Sequence, residues 1–141
     1  MQLGGLFSFA LLEQAQSGAD DLADVIEAAR VDLLADEDVL IAFRIANRAV
    51  AKAARQRFGR DQGKAPEAVA PPAWRPFQLA FLLMTMRGVA RPTHGDRELV
   101  DLLFFPTGGG KTEAYLGLAA FSLVMRRLRN KGIRSAGVSV L

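Results

Sequence analysis

An apolar run, a glycine-rich turn and a long helix-forming stretch stand side by side near the end of this 141-residue chain. The run is Leu99-Val100-Asp101-Leu102-Leu103-Phe104-Phe105. The turn is Phe105-Pro106-Thr107-Gly108-Gly109-Gly110-Lys111-Thr112, and the helix-forming stretch starts at Glu113. A strand, a glycine loop, Lys-Thr and a helix in that order form a cradle for phosphate. Glycines allow successive backbone N–H groups to converge on a polyphosphate without a Cβ in the way. The helix adds the positive end of its dipole. The turn therefore nominates Thr107, Gly108, Gly109, Gly110, Lys111, Thr112 and Glu113 as binding residues. Lys111 would reach the β- and γ-phosphates and the Thr112 hydroxyl would hold Mg²⁺, so the ligand expected is a polyphosphate with Mg²⁺. The generic spacing of such loops asks for glycine at position 105, where this chain has Phe105, and that favours a subclass with other residues there.

Apolar residues make up 50% of the chain, enough for a core. The net charge is only +3, which argues weakly for a nucleic-acid partner. Cysteine is absent, so a disulfide framework, a thiolate nucleophile and a cysteine metal site are all excluded. That composition fits a cytoplasmic protein. Leu6 to Leu12 is apolar but lacks a preceding Lys or Arg, which argues against a signal peptide. Phe77 to Met86 is about half the length a bilayer span requires, so no membrane partner is expected.

Periodicity predicts helices over the first part of the chain. One runs from Asp20-Asp21 to about Leu34. A second starts near Asp36-Glu37-Asp38 and continues to about Phe58, with acids at its start and Lys52, Arg55, Arg57 and Arg60 at its end. Those cations read first as a solvated helix end and second as a phosphate-binding patch. Gly63 to Ala73, with three prolines, reads as a linker. It separates a helical region (residues 1–72) from the start of a nucleotide-binding domain (residues 73–141). A helix from Arg75 or Pro76 to about Arg87, a polar loop over Gly88–Glu98, the strand, the cradle and its helix to about Asn130 follow. Gly132 reads as that helix's C-terminal cap, and Ile133 to Leu141 reads as a second strand. Strand–helix–strand implies a parallel right-handed crossover, hence an α/β fold with a parallel sheet. A doubly wound sheet needs about five or six strands, so the sheet is expected to be truncated here and the chain to be the beginning of a larger protein.

Trp74-Arg75-Pro76-Phe77-Gln78 upstream of Pro106-Thr107-Gly108-Gly109-Gly110-Lys111-Thr112 resembles superfamily 2 helicases, in which a glutamine motif precedes a Pro-Thr-Gly-x-Gly-Lys-Thr motif. The likeness is greatest to the helicase component of the DISARM anti-phage defence system, over Ala42-Phe43-Arg44, Asn47-Arg48-Ala49, Trp74 to Leu82 and Val100 to Phe121. The resemblance implies a RecA-like ATP-binding domain. It implies that Gln78 reads the adenine edge and that Phe77 or Trp74 stacks on the base. It also implies DNA and defence-system proteins as partners, and motor activity in the full-length protein. Hydrolysis would need a later Asp-Glu motif that does not follow residue 112, so the chain alone is expected to bind rather than hydrolyse. Two other readings stay open: a nucleotide-binding or partner-docking module without motor activity, and an inert truncated product. His94 reads as a loop residue, Phe104 and Phe105 as core, and Arg126, Arg127, Arg129, Lys131 and Arg134 first as charges at a helix C-terminus and second as a nucleic-acid contact.

Overall fold

The computed structural model describes residues 19–98, 110–130 and 132. Every α-helix among them can be traced to a sequence cause. Helix α1 spans Ala19–Ala35 and α2 spans Glu37–Gln62. Asp36 separates them: its extended backbone ends α1, and its carboxylate accepts the Asp38 and Val39 N–H groups as the N-cap of α2. At the other end Gly63 adopts φ 63°, and the Gly63 and Lys64 N–H groups return to the carbonyls of Arg60 and Gly59. That double closure is a Schellman motif, and it carries α2 one turn past the Phe58 end expected from periodicity.

The proline-rich stretch after α2 contains a short 3-10 turn, Pro66–Ala68. Helix α3 spans Pro76–Ala90 with Pro76 in its first turn, where no N–H is needed. A second 3-10 turn covers Gly95–Glu98, and α4 spans Lys111–Arg129. Asn130 caps α4, two residues before the Gly132 expected in that role.

The α/β expectation is overturned. Among the described residues every element is helical and no strand is present. The expected strand over Leu99–Phe105, its partner over Ile133–Leu141, the glycines at 108 and 109 and residues 1–18 all lie outside the described residues. The physical reason lies in what buries the helices. The strand–helix–strand order sets a sheet against α4. Its buried side (Ala114, Gly117, Phe121 and Met125) instead meets α2 and α3. Periodicity reports that a helix is buried, and any apolar layer satisfies it.

α3 is buried through Ala80, Phe81, Leu82, Leu83 and Met86, positions that go round the whole helix. It packs against α1 and α4, while α2 packs along α4. One core joins Ala29, Val39, Ala42 and Ala46 to Ala80, Phe81, Met86, Phe121 and Met125. The alanines let the helix axes approach closely; Phe121 and Met86 are the largest fully buried side chains of this core, and Leu82 is fully buried as well. Two ionic clasps close the bundle. Asp32 on α1 is buried and pairs with Arg87 at 2.7 Å and Arg91 at 3.3 Å. Arg129, in the last turn of α4, reaches Asp36 at 2.6 Å and also donates to the Ala90 carbonyl at the end of α3. None of the described helices is long and apolar enough to cross a membrane.

Candidate functional site

The starts of α3 and α4 meet. Gln78 is the third residue of α3, and it is 5% exposed. Its Oε1 accepts the Arg75 N–H at 2.8 Å, the glutamine half of a capping box. Its Nε2 donates to the Gly110 carbonyl at 2.7 Å. One side chain thus caps its own helix and holds the residue that opens the next one. An amide can do both because it carries a donor and an acceptor on one planar group. One N–H and one oxygen lone pair remain beyond these two bonds.

Gly110 needs to be glycine for two independent reasons. Its φ is 88°, in the left-handed region, and a Cβ there would stand 2.6 Å from Gln78 Nε2. Lys111 and Thr112 follow as the first two residues of α4, Lys111 half-buried and Thr112 exposed. Glu113, the third residue, meets Arg57 of α2 at 2.9 Å. Its pKa is lowered from 4.5, first by a hydrogen bond from its own backbone N–H and then by the Arg57 guanidinium; the charges of Arg57 and Arg75 act in the same direction and burial opposes them. A carboxylate in the first turn also complements the helix dipole.

Trp74 stands beside this junction. Its indole Nε1 donates to Asn47 Oδ1 at 2.6 Å, and Asn47 Nδ2 donates to the Phe43 carbonyl at 2.7 Å. The edge of the indole lies over Gly117, where a Cβ would come within 2.9 Å of Cη2. Trp74 therefore ties α2 to α4, and of the two aromatics nominated for base stacking it is committed to the bundle. Phe77 is half-buried in the first turn of α3, next to Gln78.

The structure thus brings Gln78, Phe77, Gly110, Lys111, Thr112 and Glu113 into one region where α3 and α4 begin. Thr107, Gly108 and Gly109 lie outside the described residues. Sequence reasoning missed two members of the region. Arg57 was read as a helix-end charge, although it is the partner of Glu113. Asn47 received no role of its own; a signal for it existed, since asparagine in the interior of a long helix sacrifices propensity and so needs a partner.

No family model and no solved structure matches the chain. Among curated proteins it is similar to the DISARM protein DrmA of Bacillus paralicheniformis, 54% identical over 72 residues. The match takes in 48% of this chain and 6% of that relative's length.

Proposed function

We propose that this chain holds ATP at the junction of α3 and α4, as part of an ATP-driven nucleic-acid motor that serves anti-phage defence. The observation that carries the reading is the 2.7 Å hydrogen bond from Gln78 to Gly110. It ties the glutamine that resembles an adenine reader to the left-handed glycine that opens Lys111-Thr112. The Lys111 ammonium would hold the terminal phosphates and the Thr112 hydroxyl would take Mg²⁺, with Thr107, Gly108 and Gly109 supplying backbone N–H groups. Gln78 would offer its second N–H and second lone pair to adenine, and Phe77 its ring. Bound Mg²⁺ would neutralise charge on the phosphates during transfer. The likeness to DrmA supports the defence role; because it covers 6% of that relative's length, the motor activity and the DNA and protein partners are proposed for a protein of that size.

Equilibrium binding of a fluorescent ATP analogue with Mg²⁺ to the chain tests the site. Lys111→Ala should weaken binding about tenfold or more, the worth of one charge-assisted contact. Unchanged affinity in that variant would sink the assignment.

A second reading is a docking module without motor activity. The exposed Tyr115, Leu116 and Leu123 on α4 favour it, since large apolar side chains in solvent on one helix suit a partner surface. Self-association or partner binding that survives Lys111→Ala, with no ATP binding in the parent chain, would select it.

A further inference from the structure

The long helix α2 carries cations that the fold does not use. Between Val39 and Arg60 it contains Arg44, Arg48, Lys52, Arg55, Arg57 and Arg60 and no acid; Glu37, Asp38 and Asp61 stand only at its ends. Arg57 is taken by Glu113. Arg44, Arg48, Lys52 and Arg55 follow one another at steps of three or four residues. At 3.6 residues per turn they share about 80° of the helix circumference and a line about 16 Å long. Arg44, Arg48 and Lys52 are exposed, and Arg55 is half-buried with its Nε buried and without an acceptor. Among the described residues none of the four forms an ion pair or a hydrogen bond. The stripe lies opposite Val39, Ala42 and Ala46, which face the core.

A solvated helix face ordinarily alternates its charges, because opposite charges at i,i+4 stabilise a helix and like charges destabilise it. Here Arg44 and Arg48, and Arg48 and Lys52, are like pairs at i,i+4. An external polyanion would relieve the repulsion. Two features of the face bear on which polyanion suits it. A membrane-surface helix sets large apolar and aromatic side chains beside its cations, but Phe43 is packed on the core and Ile45 is the only large apolar residue of α2 with substantial exposure. A groove for single-stranded nucleic acid adds aromatic rings on which bases stack, and the stripe has none. Evenly stepped point charges without stacking groups suit the sugar–phosphate backbone of a duplex, whose charge density is the highest of these candidates.

We propose that the Arg44–Arg48–Lys52–Arg55 face of α2 binds the phosphate backbone of double-stranded nucleic acid, independently of base sequence. The surface is distinct from the junction of α3 and α4 and does not rest on the nucleotide reading.

The test is fluorescence anisotropy of a labelled DNA duplex of about 20 base pairs with the chain, from about 50 to 200 mM salt and without nucleotide. Four phosphate contacts predict a slope of log K against log salt of about −3 to −4. Arg44→Gln/Arg48→Gln/Lys52→Gln should reduce the slope to about −1 and weaken binding about 10- to 100-fold, with each single substitution removing about one unit of slope. Arg60→Gln/Lys64→Gln/Arg97→Gln removes as many charges elsewhere and should leave slope and affinity near those of the parent chain. Arg44→Lys/Arg48→Lys should retain binding, since charge rather than the guanidinium fork is required. Equal losses in the two triple variants would overturn the proposal, as would tighter binding to single-stranded DNA, to polyglutamate or to vesicles containing phosphatidylserine. An unchanged thermal midpoint in the stripe variants separates lost contact from lost fold.

Discussion

Gln78 Nε2 donates to the carbonyl of Gly110 at 2.7 Å, across 32 residues of sequence. This single bond joins the first turn of α3 to the residue that starts α4. The same carboxamide accepts the Arg75 N–H, so the entry to one helix and the entry to the other are set by one side chain. Truncating that side chain uncouples two helix starts at once.

Gln78→Ala should therefore lower the unfolding free energy by about 1–3 kcal/mol, the usual cost of leaving buried polar groups unpaired. Urea denaturation followed by circular dichroism measures it. If Gln78 also reads adenine, the variant loses its preference for ATP over GTP; an unchanged preference leaves Gln78 as a tie between helices and removes it from the binding residues.

Gly110→Ala places a Cβ on a residue with φ 88° and pushes it to 2.6 Å from Gln78 Nε2. Left-handed backbone costs a non-glycine residue about 1–2 kcal/mol. The contact with Gln78 adds less, because the end of that side chain can move, although moving it breaks the bond to the Gly110 carbonyl. The double variant Gly110→Ala/Gln78→Ala should consequently be less destabilised than the sum of the singles. Strict additivity would show that the two residues do not act together.

Gly117→Ala sets two effects against each other. In the interior of α4 alanine is favoured over glycine by about 1 kcal/mol. A Cβ at 117, however, meets the rigid Trp74 ring at 2.9 Å, and overpacking costs about 1–3 kcal/mol. Trp74 cannot swing away without losing its bond to Asn47. Packing should win, giving a net loss of stability and a shift in the fluorescence of Trp74, the chain's one tryptophan. A stabilised variant with unaltered emission would show that the indole does not lie over this glycine.

Glu113→Gln tests the ion pair with Arg57 through pH. The folded-state pKa of Glu113 lies below its ordinary 4.5, so the unfolded chain binds the proton more readily. The stabilisation is complete above pH 4.5 and is lost as pH falls through the lower, folded value. Both side chains are partly exposed, and the pair should contribute less than about 1 kcal/mol. Thermal unfolding of parent and variant should differ at pH 7, and the difference should shrink as pH falls from 4.5 through the lower, folded value. A difference that persists in acid would exclude the carboxylate as its source.

The helices were largely legible as local events. Asp36, Gly63 and Pro76 announce their boundaries by chemistry that acts within a few residues: a carboxylate for free N–H groups, a residue that tolerates positive φ, and a ring that dispenses with a donor. The glycine turn before a helix was also legible, although the sequence offered three glycines and α4 starts at Lys111 rather than Glu113. The partners were not. Nothing in the local sequence of Glu113 names Arg57, and nothing near Trp74 names Asn47, because those pairs close over long stretches of chain. The α/β expectation failed for a related reason: the strand–helix–strand order sets a sheet against α4, whereas α2 and α3 cover its buried side.

By itself the sequence determined that these helices exist and about where they start, because capping, proline geometry and glycine turns are properties of neighbouring residues; the ends of α2 and α3 lie beyond the expected Phe58 and Arg87. Only the tertiary structure decided that Gln78 holds Gly110, that Arg57 pairs with Glu113 while the stripe from Arg44 to Arg55 faces outward, and that α2 and α3 cover the buried side of α4. Burial is satisfied by any apolar layer and a charge by any counter-charge, so the choice among them belongs to the packing of the whole chain.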